Sequence, residues 1–262
     1  MNNAFFQIKS FFTYLLDNVD EHSLHSPFFY KFYTEILKKD QKSERDTKLE
    51  DYRKKFLQDD RSITVEDLGA GSAYFKSNPS RKVRDIARTS LSRSKFSRLY
   101  SRIIKEQGCN TVVELGTSLG LNALYLGSSP STQVRTFEGS ESIAGIAREL
   151  FTSAGAANIR LIPGNIDSTL PVEMKGTEVV DFALIDANHR YEPTLKYFNM
   201  LASKVSPRSI IALDDIHYSG EMERAWNAIK VDPRVYATAD LYRCGFVFFD
   251  PSLDKQHVVL RF

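Results

Sequence analysis

Thr111-Val112-Val113-Glu114-Leu115-Gly116-Thr117-Ser118-Leu119-Gly120-Leu121-Asn122 is the stretch that decides how this 262-residue chain reads. A short β-branched run enters two glycines four residues apart, and an apolar segment of helical character, 121–126, comes next. A strand that ends in a glycine turn and opens a helix brings free backbone N–H groups close to a ligand, since glycine tolerates turns that a Cβ resists. On its own, Gly-x-x-x-Gly marks only a crevice. A second turn, Asp67-Leu68-Gly69-Ala70-Gly71-Ser72, looks at first like the better nucleotide turn. It is set aside because Asn78-Pro79 interrupts the segment after it and no strand ending in an acid comes at the right distance. It reads as a loop or as part of a substrate-side lid.

Outward from residue 111 the pattern is regular. Apolar runs at 111–115, 134–137, 159–162, 179–185 and 209–213 predict strands, and helical segments at 121–126, 142–153, 193–203 and 221–230 separate them. Continuously apolar strands alternating with helices imply a parallel sheet covered on both faces, with ligands at the carboxyl ends of its strands. Residues 235–242 and 245–249 then predict a terminal hairpin, which adds an antiparallel strand. The expected fold is α/β, a Rossmann-like doubly wound sheet of about seven strands in residues 109–262. Residues 1–108 are expected to form a helical N-terminal extension or lid. In that extension, residues 1–17 read as an amphipathic helix rather than a signal peptide, and Phe28, Phe29, Phe32, Tyr33 and Ile36 recur at helical spacing after Pro27. Residues 38–60 read as a charged, mobile loop, and 81–106 as a helix ending at Gly108.

The composition is that of a globular protein: 42% hydrophobic and 26% charged, with a net charge of +2. Cys109 and Cys244 are the two cysteines and lack metal-type spacing, so two free thiols in a reducing, cytoplasmic setting are expected. No apolar run nears the ~20 residues of a membrane span. The charge is uneven, with 21 Lys/Arg against 15 Asp/Glu in residues 1–110. Within 76–105, Lys76, Arg81, Lys82, Arg84, Arg88, Arg93, Lys95, Arg98, Arg102 and Lys105 face Asp85 alone. This run is either a solvated helical face or a docking surface for a phosphate-bearing substrate.

Glu138 stands 22 residues after Gly116, at the end of the next strand. A carboxylate there can accept both hydroxyls of an adenosine ribose. Glu114, inside the first strand, is a buried charge in need of a partner, which a cationic amino-acid ligand could supply.

With these residues in place, 112–120 resembles the first motif of class I S-adenosylmethionine-dependent methyltransferases. Glu138-Gly139-Ser140 resembles their ribose-binding motif, Gly164-Asn165-Ile166-Asp167 the loop flanking the adenine, and residues 181–186 the fourth motif. The likeness is to the O-methyltransferase branch that includes the catechol and macrolide-sugar enzymes. Asn165 replaces the more usual acid, and Ser206-Pro207-Arg208-Ser209 replaces a common Pro-Gly-Gly turn. The resemblance implies S-adenosylmethionine as cofactor, held by Glu114, Gly116, Thr117, Ser118, Gly120 and Asn122. Glu138, Gly139, Ser140, Asn165, Ile166 and Asp186 would complete that set.

Methyl transfer needs an in-line nucleophile and a way to take its proton. Asp186-Ala187-Asn188-His189 and Asp214-Asp215-Ile216-His217 come after two strands, so the resemblance makes His189 a candidate general base and Asp186 and His217 candidate catalytic groups. Asp186, Asp214 and Asp215 match the ligands of a catalytic Mg²⁺ in metal-dependent relatives. The alternative for Asp214-Asp215 is a helix cap or a lid brace. Met222, Trp226 and Ile229 at helical spacing read as core. The expected function is O-methylation of a small-molecule or sugar hydroxyl, with Mg²⁺ assistance as an option. An RNA methyltransferase, a catalytically silent cofactor-binding protein and a nicotinamide dehydrogenase are the competing readings. The expected partners are a small-molecule acceptor and a second copy of the chain as a homodimer, with neither nucleic acid nor a membrane.

Overall fold

The computed structural model describes residues 3–65 and 80–262. The second glycine turn at Gly69 and the basic residue Lys76 lie outside the described residues. In chain order the elements are α1 (Asn3–Asp17), α2 (Pro27–Lys31), α3 (Glu44–Gln58), β1 (Ser62–Thr64), β2 (Ser80–Lys82), α4 (Val83–Ser90) and α5 (Ser94–Gln107). The alternating part comes next: β3 (Thr111–Leu115), α6 (Leu121–Leu126), β4 (Gln133–Glu138), α7 (Glu141–Ser153), β5 (Ile159–Pro163) and α8 (Ile166–Lys175). It continues as β6 (Phe182–Ile185), α9 (Tyr191–Ala202), β7 (Ile210–Asp214) and α10 (Gly220–Lys230), then closes with β8 (Ala237–Asp240), β9 (Cys244–Phe248) and β10 (Gln256–Val259).

The chain divides into two compact units, Met1–Lys39 with Thr177–Phe262, and Asp40–Gly176. In the first, the strand order is β10-β8-β9-β7-β6. β6 and β7 are parallel, β9 is antiparallel to both β7 and β8, and β10 returns parallel to β8. The expected terminal hairpin is therefore β8–β9. β10 was not visible in the sequence, because its four residues include Gln256 and His257 and make no apolar run. In the second unit β3, β4 and β5 are all parallel, and β1–β2 form a separate antiparallel pair. Beside that separate pair the described residues hold eight strands, against about seven expected, and the Rossmann-like α/β class is as expected.

The mobile loop expected at 38–60 is a helix instead, α3. Ser43 accepts the N–H of Asp46 while the Asp46 carboxylate accepts that of Ser43, a capping box that starts the helix. Leu49 and Phe56 then bury themselves in a cluster with Val83, Ile86, Leu124 and Phe151. A polar composition hid two anchors seven residues apart on one face. The helix α8 was also missed, since Pro171 inside it reads as a breaker. The single helix expected at 81–106 is two, α4 and α5, and α5 ends on Gly108 at φ +65° as expected.

The basic run is largely paired with acids of its own unit. Lys82 and Arg84 meet Asp60, Arg88 meets Asp85, and Arg98 and Arg102 both grip Asp40 at 2.7 and 3.0 Å. Arg98 and Arg102 are nearly buried. The cationic density read from sequence is thus in large part spent inside the fold.

In the first unit, Ser26 and Pro27 start α2, whose Phe28 lies 4.9 Å from Phe248 of β9, and Phe32, which opens the π-helical segment Phe32–Leu37, lies 5.9 Å from Phe246. Met222, Trp226 and Ile229 are core, each 1% exposed. Gly245 in β9 admits no Cβ: one there would stand 2.6 Å from the buried Trp226 ring. Gly→Ala in a strand ordinarily stabilises slightly through the unfolded chain. Here Gly245→Ala is expected to lower unfolding free energy by about 1–3 kcal/mol through overpacking, measured by urea denaturation; an unchanged or raised midpoint would contradict this packing.

Candidate functional site

Each unit carries one set of chemically capable side chains. In Asp40–Gly176 it forms at the carboxyl ends of β3 and β4. The parallel register sets Glu114 opposite Thr136, and the Thr136 hydroxyl donates to Glu114 Oε2 at 2.6 Å. Asn122, in the first turn of α6, donates to Oε1 at 2.7 Å. The buried Glu114 charge, for which the sequence suggested a cationic ligand, is therefore already bonded by neutral donors of its own chain. Asn122 Oδ1, by contrast, is buried without a hydrogen-bond partner. An acceptor left in that state suits a ligand N–H.

The glycine turn is tied to the end of β4, with the Gly116 and Thr117 N–H groups both donating to the Phe137 carbonyl. Gly116 and Gly120 have φ of +103° and +84°, and Ser118 joins them at +49°. At Gly120 a Cβ would fall 2.9 Å from Phe151 and 3.1 Å from Ala147, so space as well as torsion requires glycine. Glu138 closes the set. Its Oε2 accepts the Ser118 N–H at 2.8 Å and its Oε1 the Ser140 N–H at 3.0 Å. Burial raises its pKa, and the N–H groups of Ser140, Ser118 and Gly139 pull it back. A carboxylate has about four lone-pair positions, so each oxygen can still accept another hydroxyl. Gly164 N–H bonds to the Glu138 carbonyl, which brings the start of α8 to the same strand end. There Asn165 caps α8 through the Asp167 N–H, Ser140 caps α7, and Ile166 is buried. The fit to an adenosyl amino acid is good: two spare carboxylate positions for a ribose diol, and an orphaned amide oxygen for an ammonium.

The second set belongs to the unit with β6 and β7. Register pairs Ile185 with Leu213, so Asp186 and Asp214 leave neighbouring strand ends side by side. β9 runs back along β7 with Cys244 opposite Asp214, and this sets Arg243 beside the acid pair. Arg243 Nη2 donates to Asp214 Oδ2 at 2.8 Å and lies 3.8 Å from Asp215 Oδ1. Burial works against the Arg243 charge, but Asp214 and Asp215 outweigh it and hold the guanidinium protonated. His189 Nε2 lies 3.4 Å from Asp186 Oδ1, while its Nδ1 is buried without a hydrogen-bond partner. Burial alone would lower the His189 pKa; the carboxylates of Asp186, Asp215 and Asp214 reverse this and raise it to about 9. Asp186 rises to about 7, first by burial and then by the charge of Asp214.

His217 sits differently. Its Nε2 is 2.7 Å from Asp240 Oδ2, its Nδ1 is 3.6 Å from Glu223, and its ring stacks on Tyr242 at 5.5 Å. Its Nδ1, like that of His189, is buried without a hydrogen-bond partner, but it faces Glu223, and the ring as a whole stands between two acids. Asp240 and Arg243 were not found from sequence. The one available signal was the hairpin between them, whose register delivers both to the end of β7.

The three acids expected to hold a metal, Asp186, Asp214 and Asp215, stand at these strand ends with Arg243 among them. Asp214 is engaged by Arg243, and among the described residues no three His, Cys, Asp or Glu side chains are placed to hold a metal ion. These residues do not fit Mg²⁺.

Residues 113–216 match a family described as a methyltransferase domain. No curated protein matches the sequence. Among solved structures, the chain is similar to the O-methyltransferase from Bacillus cereus solved with SAH: 22% identity over 61% of this chain and 82% of that one, TM-score 0.54. The O-methyltransferase TomG from Streptomyces achromogenes, involved in tomaymycin synthesis and solved with SAM, gives 16% over 61% and 82%, TM-score 0.54. The SAH-bound methyltransferase PaMTH1 from Podospora anserina gives 13% over 86% and 97%, TM-score 0.57. The chain thus has the Rossmann-like fold of these enzymes, and the family match lies over β3 to β7 and most of both sets of side chains.

Proposed function

We propose that this chain is an S-adenosylmethionine-dependent O-methyltransferase whose acceptor is a hydroxyl of a small molecule, sugars included. The observation that carries the reading is Glu138, held by two backbone N–H groups beside the glycine turn with lone pairs to spare. S-adenosylmethionine, when bound, supplies a methyl group on a sulfonium, open to in-line attack. Glu138 takes the ribose hydroxyls, Asn122 Oδ1 takes the ammonium, and Gly116, Thr117 and Ser118 let the backbone approach. Gly139, Ser140, Asn165 and Ile166 shape the wall beside Glu138.

His189 acts on the acceptor. Asp186 fixes its Nε2, so Nδ1 is the atom that accepts the hydroxyl proton, and the imidazolium formed is stabilised by the same carboxylate. His217, clamped by Asp240, is the weaker candidate. Helix α1 supports a role for the N-terminal extension in choosing the acceptor. Gln7 donates to the Tyr218 carbonyl, Phe11 packs edge-on to Tyr242 at 5.1 Å, and Tyr14 bonds the Leu260 carbonyl. The internal pairing of the basic run weighs against an RNA substrate. Two free, buried cysteines suit the cytoplasm. Among the described residues no helix is long and apolar enough to cross a membrane.

A homodimer is also proposed. Phe5, Ile8, Phe12 and Leu15 of α1 are 60%, 56%, 60% and 48% exposed and keep 3-4-3 spacing, the seam of a helix pair. Light scattering should return twice 29.8 kDa, falling to 29.8 kDa in Phe12→Glu; a wild-type monomer would end this part of the reading.

Two further outcomes test the site. By calorimetry, Glu138→Gln should bind S-adenosylmethionine about 10–100-fold more weakly than wild type, the worth of charge-assisted hydrogen bonds. Equal affinity would remove Glu138 from the cofactor site. In an NMR titration, the His189 imidazole should lose its proton near pH 9, so methyl transfer rises as pH climbs toward that value. With Asp186→Asn the burial that opposes protonation remains while the main carboxylate is gone, so the titration should fall to lower pH. A midpoint unmoved by that change would exclude the Asp186–His189 pair.

A further inference from the structure

The misfit to a divalent ion has a specific cause. Three carboxylates, Asp186, Asp214 and Asp215, gather at two adjacent strand ends, and Asp214 is only 2% exposed at its side chain. Such a group repels itself unless cations neutralise it. In the metal-dependent enzymes of this fold a divalent ion could do so. Here the hairpin register puts a guanidinium on Asp214 at 2.8 Å, and 3.8 Å from Asp215. An ion ligated by the same carboxylate would lie within a few ångströms of that fixed positive charge, in a partly desolvated site where repulsion is poorly screened.

We propose that Arg243 is a built-in cation at the site of the proposed methyltransferase, so that transfer to the acceptor proceeds without a divalent metal. Arg243 is a positioning residue: it fixes Asp214 and Asp215 and leaves Asp186 to His189. A guanidinium also stays charged at any working pH, so the neutralisation does not depend on ion supply. Coordination chemistry then sets the substrate class. A bound ion leaves open positions that favour an acceptor offering two adjacent oxygens. A guanidinium imposes no such pair, and an acceptor with one isolated hydroxyl suffices.

The inference rests on the reading of the fold as a methyltransferase, and its test separates the two. Wild type, Arg243→Lys and Arg243→Met are each titrated with Mn²⁺ by electron paramagnetic resonance and melted with and without 1 mM MnCl₂, and S-adenosylmethionine affinity is measured in all three. Wild type and Arg243→Lys should show no saturable Mn²⁺ site and no metal-dependent change in Tm. Arg243→Met should bind one Mn²⁺ at least tenfold more tightly than wild type and gain about 4 °C in Tm when the ion is saturating. Cofactor affinity should stay within about threefold throughout, since Glu138 and Asn122 are untouched. A stoichiometric Mn²⁺ site in wild type that Asp214→Asn abolishes would overturn the proposal, and this arm needs no Arg243 variant to fold. Failure of Arg243→Met to gain Mn²⁺ affinity would overturn it as well. Failure of wild type to bind S-adenosylmethionine would instead strike the methyltransferase reading itself.

Discussion

Convergent negative charge is the constraint on which the second half of this molecule is built. Parallel strands that end in step deliver their next residues to one place, and β6 and β7 deliver Asp186 and Asp214, with Asp215 next in line. The terminal hairpin answers this charge. β9 runs antiparallel along β7, which turns the chain back over the carboxyl end of that strand and places Arg243 on Asp214. The next acid of the hairpin, Asp240, takes His217 and the Tyr242 N–H. An all-parallel sheet would have carried the chain away from this end. The antiparallel strand is thus an electrostatic device as much as a topological one.

The backbone records the strain of this arrangement. Asn188, His189, Asp215 and Tyr242 all have positive φ, from +33° to +68°, and all lie in the loops leaving β6, β7 and β8. Non-glycine residues in the left-handed region cost free energy and persist where surrounding bonds over-determine them. Here the bonds are visible: Asn188 to the Tyr197 hydroxyl, Tyr242 N–H to Asp240, and the Tyr218 N–H to the Asp215 carbonyl. In the other unit the lone counterpart among the described residues is Ser118 at +49°, held by Glu138. All five are partly buried, and they flank the residues to which chemistry is assigned, Glu138, Asp186, His189 and Asp214.

Much of this was legible in the sequence, for reasons that differ by element. β3, β4 and the turn at Gly116–Gly120 were readable because buried parallel strands are continuous apolar runs and glycine is needed where a Cβ has no room. Glu138 was readable from spacing, since strand and helix lengths in such a unit are nearly fixed. Helix α3 was not, because its stability comes from a capping box and two buried anchors rather than from composition. Asp186, Asp214 and Asp215 were found, and the sequence left their role open between metal ligands and a structural brace. A divalent ion and an arginine are equivalent answers to the same charge problem, and only the register of β7 against β9 distinguishes them. A lone arginine between two short strands carries no sequence signal of that kind.

In the proposed arrangement Arg243, and no metal, neutralises the acidic strand ends. Crystals of the wild-type protein grown or soaked with 10 mM MnCl₂ and diffracted at the manganese absorption edge examine it directly. No anomalous density is expected within coordination distance of Asp214, with the guanidinium still on that carboxylate. An anomalous peak bridging Asp186 and Asp214, with Arg243 displaced, would contradict it.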